Sequence, residues 1–408
     1  MAPLLRILSL DGGGIRGVSS LQILQGLMEK IREVRGLAEV PRPCDIFDLI
    51  GGTSTGGIIA IMLGRLGMTV DECIKTYKTI ARRAFTPKFR LPFPAPPTGS
   101  FSAAALERAI KDVIQAQCKD NRCASSQTCS HKDLLFRDDT CTKTVVLATT
   151  KENVNSKPTL FRTYDKTTSF QDCSIWEIAR ATSAATTFFK SIKCGRDNIE
   201  FIDAALGYNN PCEVMIEEAK KLFPEFSKNQ IRIVSIGTGL GDVVTIQDSR
   251  TSIIRALKTI TTTSKKTSER LAEMYGDSKL YYRFNVDRGL EDVTLADWKA
   301  SSRISAHTHN YLRENESYIF SCAESLFHEI DDITGAINVD KQKTSKTTKE
   351  PNKNKKDTSK NQVSIHRNRA SHNAEQHNTI IPLGIFRTVG ISDNISSDGS
   401  IQWNSIRS

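Results

Sequence analysis

Long apolar runs are absent from this 408-residue sequence. No stretch approaches the ~18 consecutive apolar residues that a membrane-spanning helix requires. The apolar run at the N-terminus, residues 4–10, is also too short for a secretory signal peptide. The sequence therefore predicts neither a transmembrane helix nor a cleaved leader.

Histidine, the most frequent general base of enzymes, occurs only seven times. One histidine lies in a polar, cysteine-bearing stretch, and three lie in or beside a basic C-terminal segment. Few histidines are therefore left for a Ser-Asp-His triad in that chain order. They are His307, His309 and His328.

Metal-binding signatures are lacking as well, although the chain has ten cysteines. One polar stretch holds five potential ligands, which are Cys118, Cys123, Cys129, His131 and Cys141. Their spacings match no common zinc signature, so we predict a cysteine-bearing insertion loop and no metal site. Cys44, Cys73 and Cys322 lie in apparent core segments, which favours a reducing compartment over a disulfide framework. We therefore expect a cytoplasmic protein.

Positive charge is concentrated near the C-terminus. Residues 341–372 contain ten Lys or Arg against two acidic residues, which accounts for most of the formal net charge of +10. Large apolar residues are almost absent there, and this composition is typical of disorder. The sequence thus predicts a folded domain over residues 1–330 and a largely disordered tail over residues 331–408.

The basic tail has three interpretations. It is a solvated linker, an electrostatic anchor for anionic membranes, or a nuclear-localisation or nucleic-acid patch. The tail lacks the interleaved aromatic residues of a single-strand binder, so we expect no nucleic-acid partner. A peripheral membrane surface remains an expected partner.

Apolar segments in the first 330 residues alternate between two periodicities. Predicted strands cover residues 4–10, 44–50, 144–149, 160–164, 199–203, 231–236 and 281–286. Predicted helices cover residues 18–33, 57–63, 70–83, 102–114, 175–183 and 213–222, and residues 250–327 are mostly helical. Strands that alternate with helices indicate an α/β fold with a mostly parallel sheet covered on both faces.

One proline- and phenylalanine-rich segment, residues 85–101, interrupts this pattern and predicts a loop. Its aromatic residues either pack on the domain or form a mobile apolar lid. A further form of the second case is a membrane-docking edge, with Lys88 and Arg90 facing anionic head groups.

Ser54 lies between Gly52 and Gly56 at a predicted strand-to-helix junction. This is the pattern of a nucleophile elbow, in which a strained turn exposes a serine hydroxyl. Glycines on both sides let the strand and the helix pass closely. The elbow follows only the second predicted strand, earlier than in an α/β-hydrolase, which argues against an ordinary triad.

Asp203 is the other candidate base, because it also ends a predicted strand. Neighbouring parallel strands present their carboxyl ends at one edge of a sheet, so we expect Ser54 and Asp203 to meet there. A dry site raises the basicity of a carboxylate enough to accept the serine proton.

A glycine loop follows the first predicted strand. The backbone N–H groups of Gly12, Gly13 and Gly14 are candidates for an oxyanion hole, and Arg16 either orients the loop or adds positive charge. The spacing Gly12-x-Gly14-x-x-Gly17 also fits a dinucleotide fingerprint. The acidic residues near the required distance, Glu33 and Glu39, lie in a predicted helix and a loop, so this alternative is disfavoured.

Three blocks carry a resemblance to a known family. The blocks are residues 11–17, residues 52–56, and Asp203 with the following Asn209-Asn210-Pro211. They occur in the order typical of the patatin-like phospholipase family, calcium-independent phospholipase A2 type, which this chain resembles. The resemblance covers roughly residues 4–325. It implies a three-layer fold and hydrolysis of fatty-acyl esters in phospholipids or neutral lipids, with no metal or other cofactor.

The same resemblance assigns roles to the residues of the three blocks. It implies a Ser-Asp dyad with Ser54 as nucleophile and Asp203 as base, and an acyl-enzyme intermediate. It also implies that Gly12, Gly13 and Gly14 hold the oxyanion.

The sequence departs from the family pattern at Ala204, because the family aspartate is normally followed by glycine, within an Asp-Gly-Gly or Asp-Gly-Ala block. If position 204 requires a positive φ, alanine strains the backbone there. Residues 185–188 also stand where the family often carries Ala-Pro. The alternative to an active hydrolase is therefore a patatin-fold lipid-binding or scaffold protein with weakened catalysis.

Overall fold

The computed structural model describes most of the predicted domain. The described residues are 3–86, 101–118, 130–164, 167, 169–186, 188–239, 251–276, 279–290 and 292–327. The predicted tail over residues 331–408 lies outside them, as does the interior of the proline-rich loop, residues 87–100.

The described residues build a single eight-stranded sheet with the strand order β5-β6-β3-β2-β1-β7-β8 and with β4 paired to β3. The strands are β1 (Leu5–Leu10), β2 (Leu49–Thr53), β3 (Lys143–Thr150), β4 (Thr159–Arg162), β5 (Ile192–Cys194), β6 (Ile199–Asp203), β7 (Ile231–Ile236) and β8 (Tyr281–Phe284). Strands β3, β2, β1, β7 and β8 are parallel, whereas β4 and β6 run antiparallel to β3. The predicted mostly parallel α/β sheet is confirmed.

Helices cover both faces of the sheet. They are α1 (Gly17–Arg35), α2 (Pro43–Ile46), α3 (Thr55–Ala60), α4 (Val70–Ala84), α5 (Ala103–Ala116), α6 (Ile175–Thr182), α7 (Ala205–Tyr208), α8 (Cys212–Leu222), α9 (Thr251–Tyr275), α10 (Ser301–Glu314) and α11 (Glu316–Ser325). One apolar core lies between the sheet and α1, α3–α6, α10 and α11. A second core lies between the opposite face and α8 and α9.

Side-chain alternation in β1 shows why two cores form. Leu5 and Ile7 belong to the core beneath α8, whereas Leu8 and Leu10 belong to the core beneath α1. Successive side chains of a strand point to opposite faces, so a strand that is apolar at nearly every position must be covered on both sides.

The strand before Ser54 begins later than its sequence predicts. Residues 43–46 form the short helix α2, and β2 covers Leu49–Thr53. Pro43 occupies the first turn of α2, where its fixed φ and missing N–H suit a helix start. The predicted strand over residues 44–50 is therefore wrong in its first half, and the elbow glycines belong to the strand.

Candidate active site

Ser54 connects β2 to α3 in a conformation that few residues adopt. Its φ of 56° and ψ of −125° lie outside the ordinary regions for a residue with a side chain. Strain of this kind persists only where the surrounding structure enforces it, and it is concentrated at functional sites. The structure thus contains the sharp turn that the Gly-Thr-Ser-Thr-Gly sequence predicts.

The two elbow glycines are required by close backbone contacts. A Cβ on Gly52 would lie 2.3 Å from the backbone of Gly56, and a Cβ on Gly56 would lie 2.3 Å from the carbonyl oxygen of Leu10. Real Cβ contacts are much longer, so β1, β2 and α3 approach this closely only without side chains at these positions.

The hydroxyl of Ser54 donates a hydrogen bond to Asp203. The distance between Ser54 Oγ and Asp203 Oδ2 is 2.6 Å. The other carboxylate oxygen, Oδ1, accepts the backbone N–H of Ala205 at 2.9 Å. Both carboxylate oxygens of Asp203 are therefore held in place, with one of them against the serine hydroxyl.

Strand register brings the two residues together, although not in the predicted way. Thr53 on β2 pairs with Leu147 on β3, and the adjacent Ala148 pairs with Asp203 on β6. Because β6 runs antiparallel to β3, Asp203 does not end a parallel strand, and that part of the prediction is wrong. β6 instead enters from the edge where β3 ends and stops beside the elbow.

Burial changes the acidity of Asp203. Removal from water raises its pKa from 3.8 to about 7, and the hydrogen bonds from Ser54 and Ala205 oppose this rise only in part. A carboxylate with a pKa near neutrality is a far better proton acceptor than an ordinary aspartate.

An open pocket lies over the Ser54 hydroxyl and, together with its mouth, encloses about 910 Å³. Its lining is mostly apolar. The large apolar side chains of its wall are Phe85, Phe188, Phe189, Ile202, Leu206, Ile260 and Leu295. Such a pocket, with the polar groups of Ser54 and Asp203 at its base, suits a ligand with a long apolar portion.

The glycine loop packs against the elbow. The N–H of Gly12 donates to the carbonyl oxygen of Asn209 at 3.2 Å, and the N–H of Gly13 donates to Thr55 Oγ1 at 3.0 Å. Gly13 and Gly14 line the pocket beside Ser54 and Thr55. Gly14 has a φ of +57°, and a Cβ there would lie 2.1 Å from the carbonyl oxygen of Leu295. Protein packing thus accounts for these glycines without a bound nucleotide.

The comparison with protein families agrees with this geometry. A family model described as patatin-like phospholipase matches residues 8–216, a range that includes the glycine loop, Ser54 and Asp203. The chain belongs to the patatin-like phospholipase family.

Curated relatives of this patatin-like chain are phospholipases by name. It is 29% identical to calcium-independent phospholipase A2-gamma of Homo sapiens over an alignment of 274 residues. That alignment covers 64% of the chain and 32% of the human relative. It is 26% identical over 286 residues to phospholipase A I of Arabidopsis thaliana, in an alignment that covers 58% of the chain and 21% of that relative. It is 27% identical over 262 residues to a cGAMP-activated phospholipase of Vibrio cholerae, in an alignment that covers 60% of the chain and 66% of that relative. The chain thus spans only about a third of the human relative.

The departure from the patatin-like pattern at Ala204 causes no backbone strain. Ala204 is buried and has a φ of −80° and a ψ of 0°, which any residue adopts. Position 204 therefore does not require glycine in this chain. The backbone of Ala205 still donates to Asp203.

Arg16 lies behind the glycine loop and does not line the pocket. Its buried guanidinium donates to the carbonyl oxygen of Val293 at 2.9 and 2.6 Å and to that of Gly239 at 2.8 Å. These contacts tie the loop to two segments that are distant in the chain.

The histidines within the described residues lie elsewhere. His131, His307 and His309 do not line the pocket, and His328 lies outside the described residues. In the cysteine-bearing stretch, Cys118 Sγ lies 3.2 Å from His131 Nδ1. Cys123 and Cys129 lie outside the described residues. Among the residues that the structure describes, no three potential metal ligands come together.

Three further contacts at the site have no signal in the sequence. Thr182 accepts a hydrogen bond from the backbone of Ser54, and Thr55 accepts one from Gly13. Asp11, the first residue of the glycine loop, forms an ion pair with Arg283. Thr182 and Arg283 are far from their partners in the chain, so spacing alone does not reveal these contacts.

Proposed function

We propose that this chain hydrolyses fatty-acyl ester bonds of phospholipids or neutral lipids through a Ser54–Asp203 dyad. The observation that carries the proposal is the 2.6 Å hydrogen bond between Ser54 Oγ and Asp203 Oδ2 beneath an apolar pocket. Family membership and the names of the relatives support the substrate class.

In the first half of the reaction, Ser54 Oγ attacks the carbonyl carbon of the ester while its proton passes to Asp203. The carbonyl oxygen becomes an oxyanion as the tetrahedral intermediate forms. Collapse of the intermediate breaks the bond to the alcohol, which takes the proton from Asp203 and leaves. The acyl group remains on Ser54 as an ester.

In the second half, Asp203 accepts a proton from water as the water oxygen attacks the acyl-enzyme. Collapse of the second intermediate releases the fatty acid, and the proton returns to Ser54 Oγ. One water molecule is consumed in each cycle, and the enzyme is regenerated.

Within this proposal the predicted oxyanion residues divide into two groups. Gly13 and Gly14 line the pocket, so we assign their N–H groups to the oxyanion, with the substrate oxygen replacing the Thr55 hydroxyl as partner of Gly13. Gly12 and Arg16 are bonded to other parts of the chain and hold the loop in place.

The alternative function is a non-catalytic scaffold, and the alanine at position 204 is the observation that favours it. Ala204 has ordinary backbone angles and the Ser54–Asp203 contact is short, so position 204 gives no reason to expect weakened catalysis. We therefore favour the hydrolase.

The proposal is tested with p-nitrophenyl butyrate and with phospholipid vesicles, using wild type, Ser54→Ala and Asp203→Asn, each with and without chelator. We expect chelator-insensitive hydrolysis that both substitutions abolish. Because ionised Asp203 is the base, kcat/KM should rise with pH through about 7. Activity that survives Asp203→Asn would contradict the dyad. An inactive wild type whose Ser54 does not react with an organophosphonate would support the scaffold.

A further inference from the structure

The backbone N–H of Ser54 lies beyond the end of the sheet ladder. The pairing between β2 and β3 ends with Thr53 and Leu147. A buried N–H without a partner is costly, so the elbow needs an acceptor at this point. Thr182, the last residue of α6, supplies it, with 2.8 Å between Ser54 N and Thr182 Oγ1.

The Thr182 hydroxyl joins two elements through one buried oxygen. It accepts from Ser54 and donates to the carbonyl oxygen of Leu147 at 2.7 Å. An amide N–H only donates and a carbonyl oxygen only accepts, so the direction of both bonds is unambiguous. Thr182 is fully buried, and a Cβ on Gly57 would lie 2.8 Å from its hydroxyl oxygen. The absence of a side chain on Gly57 therefore makes room for this contact.

The same segment also holds Asp203. The backbone N–H of Asp203 donates to the carbonyl oxygen of Ala184 at 3.1 Å. Residues 182–184 thus bond to the backbone of both members of the dyad, one through a side chain and the other through the main chain.

We propose that Thr182 is a positioning residue, which holds the strained backbone of Ser54 so that Oγ stays within proton-transfer distance of Asp203. This inference rests on the proposed dyad. Without the Thr182 hydroxyl, the unpaired N–H of Ser54 turns toward another acceptor. That rotation moves Oγ away from Oδ2, and small misplacements of a nucleophile cause large losses of rate.

The test compares Thr182→Val, which removes the hydroxyl at nearly constant volume, with Thr182→Ser, which keeps it. Thr163→Val is the matched control, because Thr163 is also fully buried and its hydroxyl accepts the backbone N–H of Thr144 at 3.0 Å, away from the elbow. Hydrolysis of p-nitrophenyl butyrate is measured across pH, and folding is measured by thermal unfolding. Thr182→Ala replaces the valine variant if that variant does not fold.

We expect Thr182→Val to lower kcat at least tenfold with KM within about twofold, and Thr182→Ser to restore kcat to within about threefold of wild type. The apparent pKa of the kcat/KM profile should rise in the valine variant, because the Ser54 hydrogen bond that lowers the pKa of Asp203 is weakened. Thr163→Val should lose stability while kcat and the pH profile stay unchanged.

Two outcomes would overturn the positioning role while the dyad stands. One is a valine variant with wild-type kcat and pH profile in a protein that Asp203→Asn inactivates. The other is rapid hydrogen exchange at the Ser54 amide of the wild-type protein, a measurement that needs no variant. A wild type without activity and without Ser54 labelling would instead overturn the dyad itself and, with it, this inference.

Discussion

In the proposed reaction, folding stability and activity place opposite demands on Asp203. Burial makes its carboxyl a base of near-neutral pKa, but the ionised form is then poorly solvated in the folded chain. The same burial that raises the basicity of this carboxyl also lowers the free energy of unfolding when the carboxyl is ionised.

Replacing Asp203 by asparagine removes these opposite demands. Because the pKa is about 7 in the folded chain and 3.8 for an ordinary aspartate, ionising Asp203 in place costs up to about 4 kcal/mol. The protonated carboxyl carries no such cost, so the cost is absent below about pH 4, grows as the pH rises from about 4 to about 7, and is complete above about pH 7. Asp203→Asn should therefore be inactive yet more stable than wild type at pH 8, with the difference vanishing near pH 4.

Urea unfolding at pH 4, 6 and 8 measures this difference. Asp197→Asn, at an exposed position between β5 and β6, is the control and should follow the wild type at every pH. Parallel stability curves for wild type and Asp203→Asn would show that Asp203 does not titrate near neutrality.

At the scale of elements, the elbow depends on how closely β1, β2 and α3 approach each other. Ser54 stands clear of the sheet only because α3 begins directly at the end of β2 and passes over β1. This close packing sets how far the Ser54 hydroxyl stands above the sheet.

Gly56→Ala tests this dependence. The added methyl would lie 2.3 Å from the Leu10 oxygen and 2.5 Å from the Asp11 oxygen, so α3 must move outward. We expect a loss of about 3 kcal/mol in unfolding free energy and loss of Ser54 labelling by an organophosphonate. Gly207→Ala on α7 is the control, because a Cβ there meets nothing within 4 Å. Equal behaviour of the two variants would contradict the packing account.

The predicted elements that formed as expected are those with a long periodic pattern or a local start signal. Helix α4 is an example, since Thr69 and Glu72 form a capping box at its start. Short elements were less predictable. The three-residue strand β5 has no signal of its own, and α2 is a single turn within a segment that reads as a strand.

At the scale of the whole molecule, a largely buried ion pair connects the glycine loop to β8, the strand at one edge of the sheet. Arg283 on β8 donates to both carboxylate oxygens of Asp11, at 2.9 and 2.6 Å, and to Ser235 Oγ on the intervening β7 at 2.8 Å. The first residue of the glycine loop is thereby fixed by a residue 272 positions later.

Removing one partner of this pair should be more harmful than its net contribution implies. Asp11→Ala leaves the largely buried Arg283 guanidinium without its counterion, and we expect a loss of about 3–5 kcal/mol in unfolding free energy. Arg283→Met should cost a similar amount, and the double variant should cost less than the two losses combined. A double-mutant cycle by urea unfolding measures this coupling, and strictly additive losses would contradict it.

The basic tail lies outside the described residues, and its role remains a prediction from composition. Among the described residues, no helix is both long and apolar enough to cross a bilayer. We propose that residues 341–372 bind anionic membrane surfaces electrostatically. Their deletion should weaken sedimentation with anionic vesicles, with neutral vesicles as the control, and leave hydrolysis of soluble esters unchanged. Wild-type binding by the deletion variant would eliminate the anchor.

Local sterics explain what the sequence by itself determined. Glycines on both sides of Ser54 predict the sharp turn, because only residues without Cβ permit that backbone contact. Continuous apolar segments separated by amphipathic ones predict a sheet covered on both faces. The order of the glycine loop, the elbow and Asp203 indicates the family, which the family comparison shows.

Only the tertiary structure decided how Asp203 reaches Ser54. The direction of β6 depends on its pairing with the last residues of β3, and hydrophobic pattern alone does not specify strand direction. The near-neutral pKa of Asp203, the Thr182 contact with Ser54 and the Asp11–Arg283 pair likewise arise from burial and register between residues far apart in the chain. The pKa and the two contacts depend on several segments of the folded chain, so no single stretch of sequence predicts them.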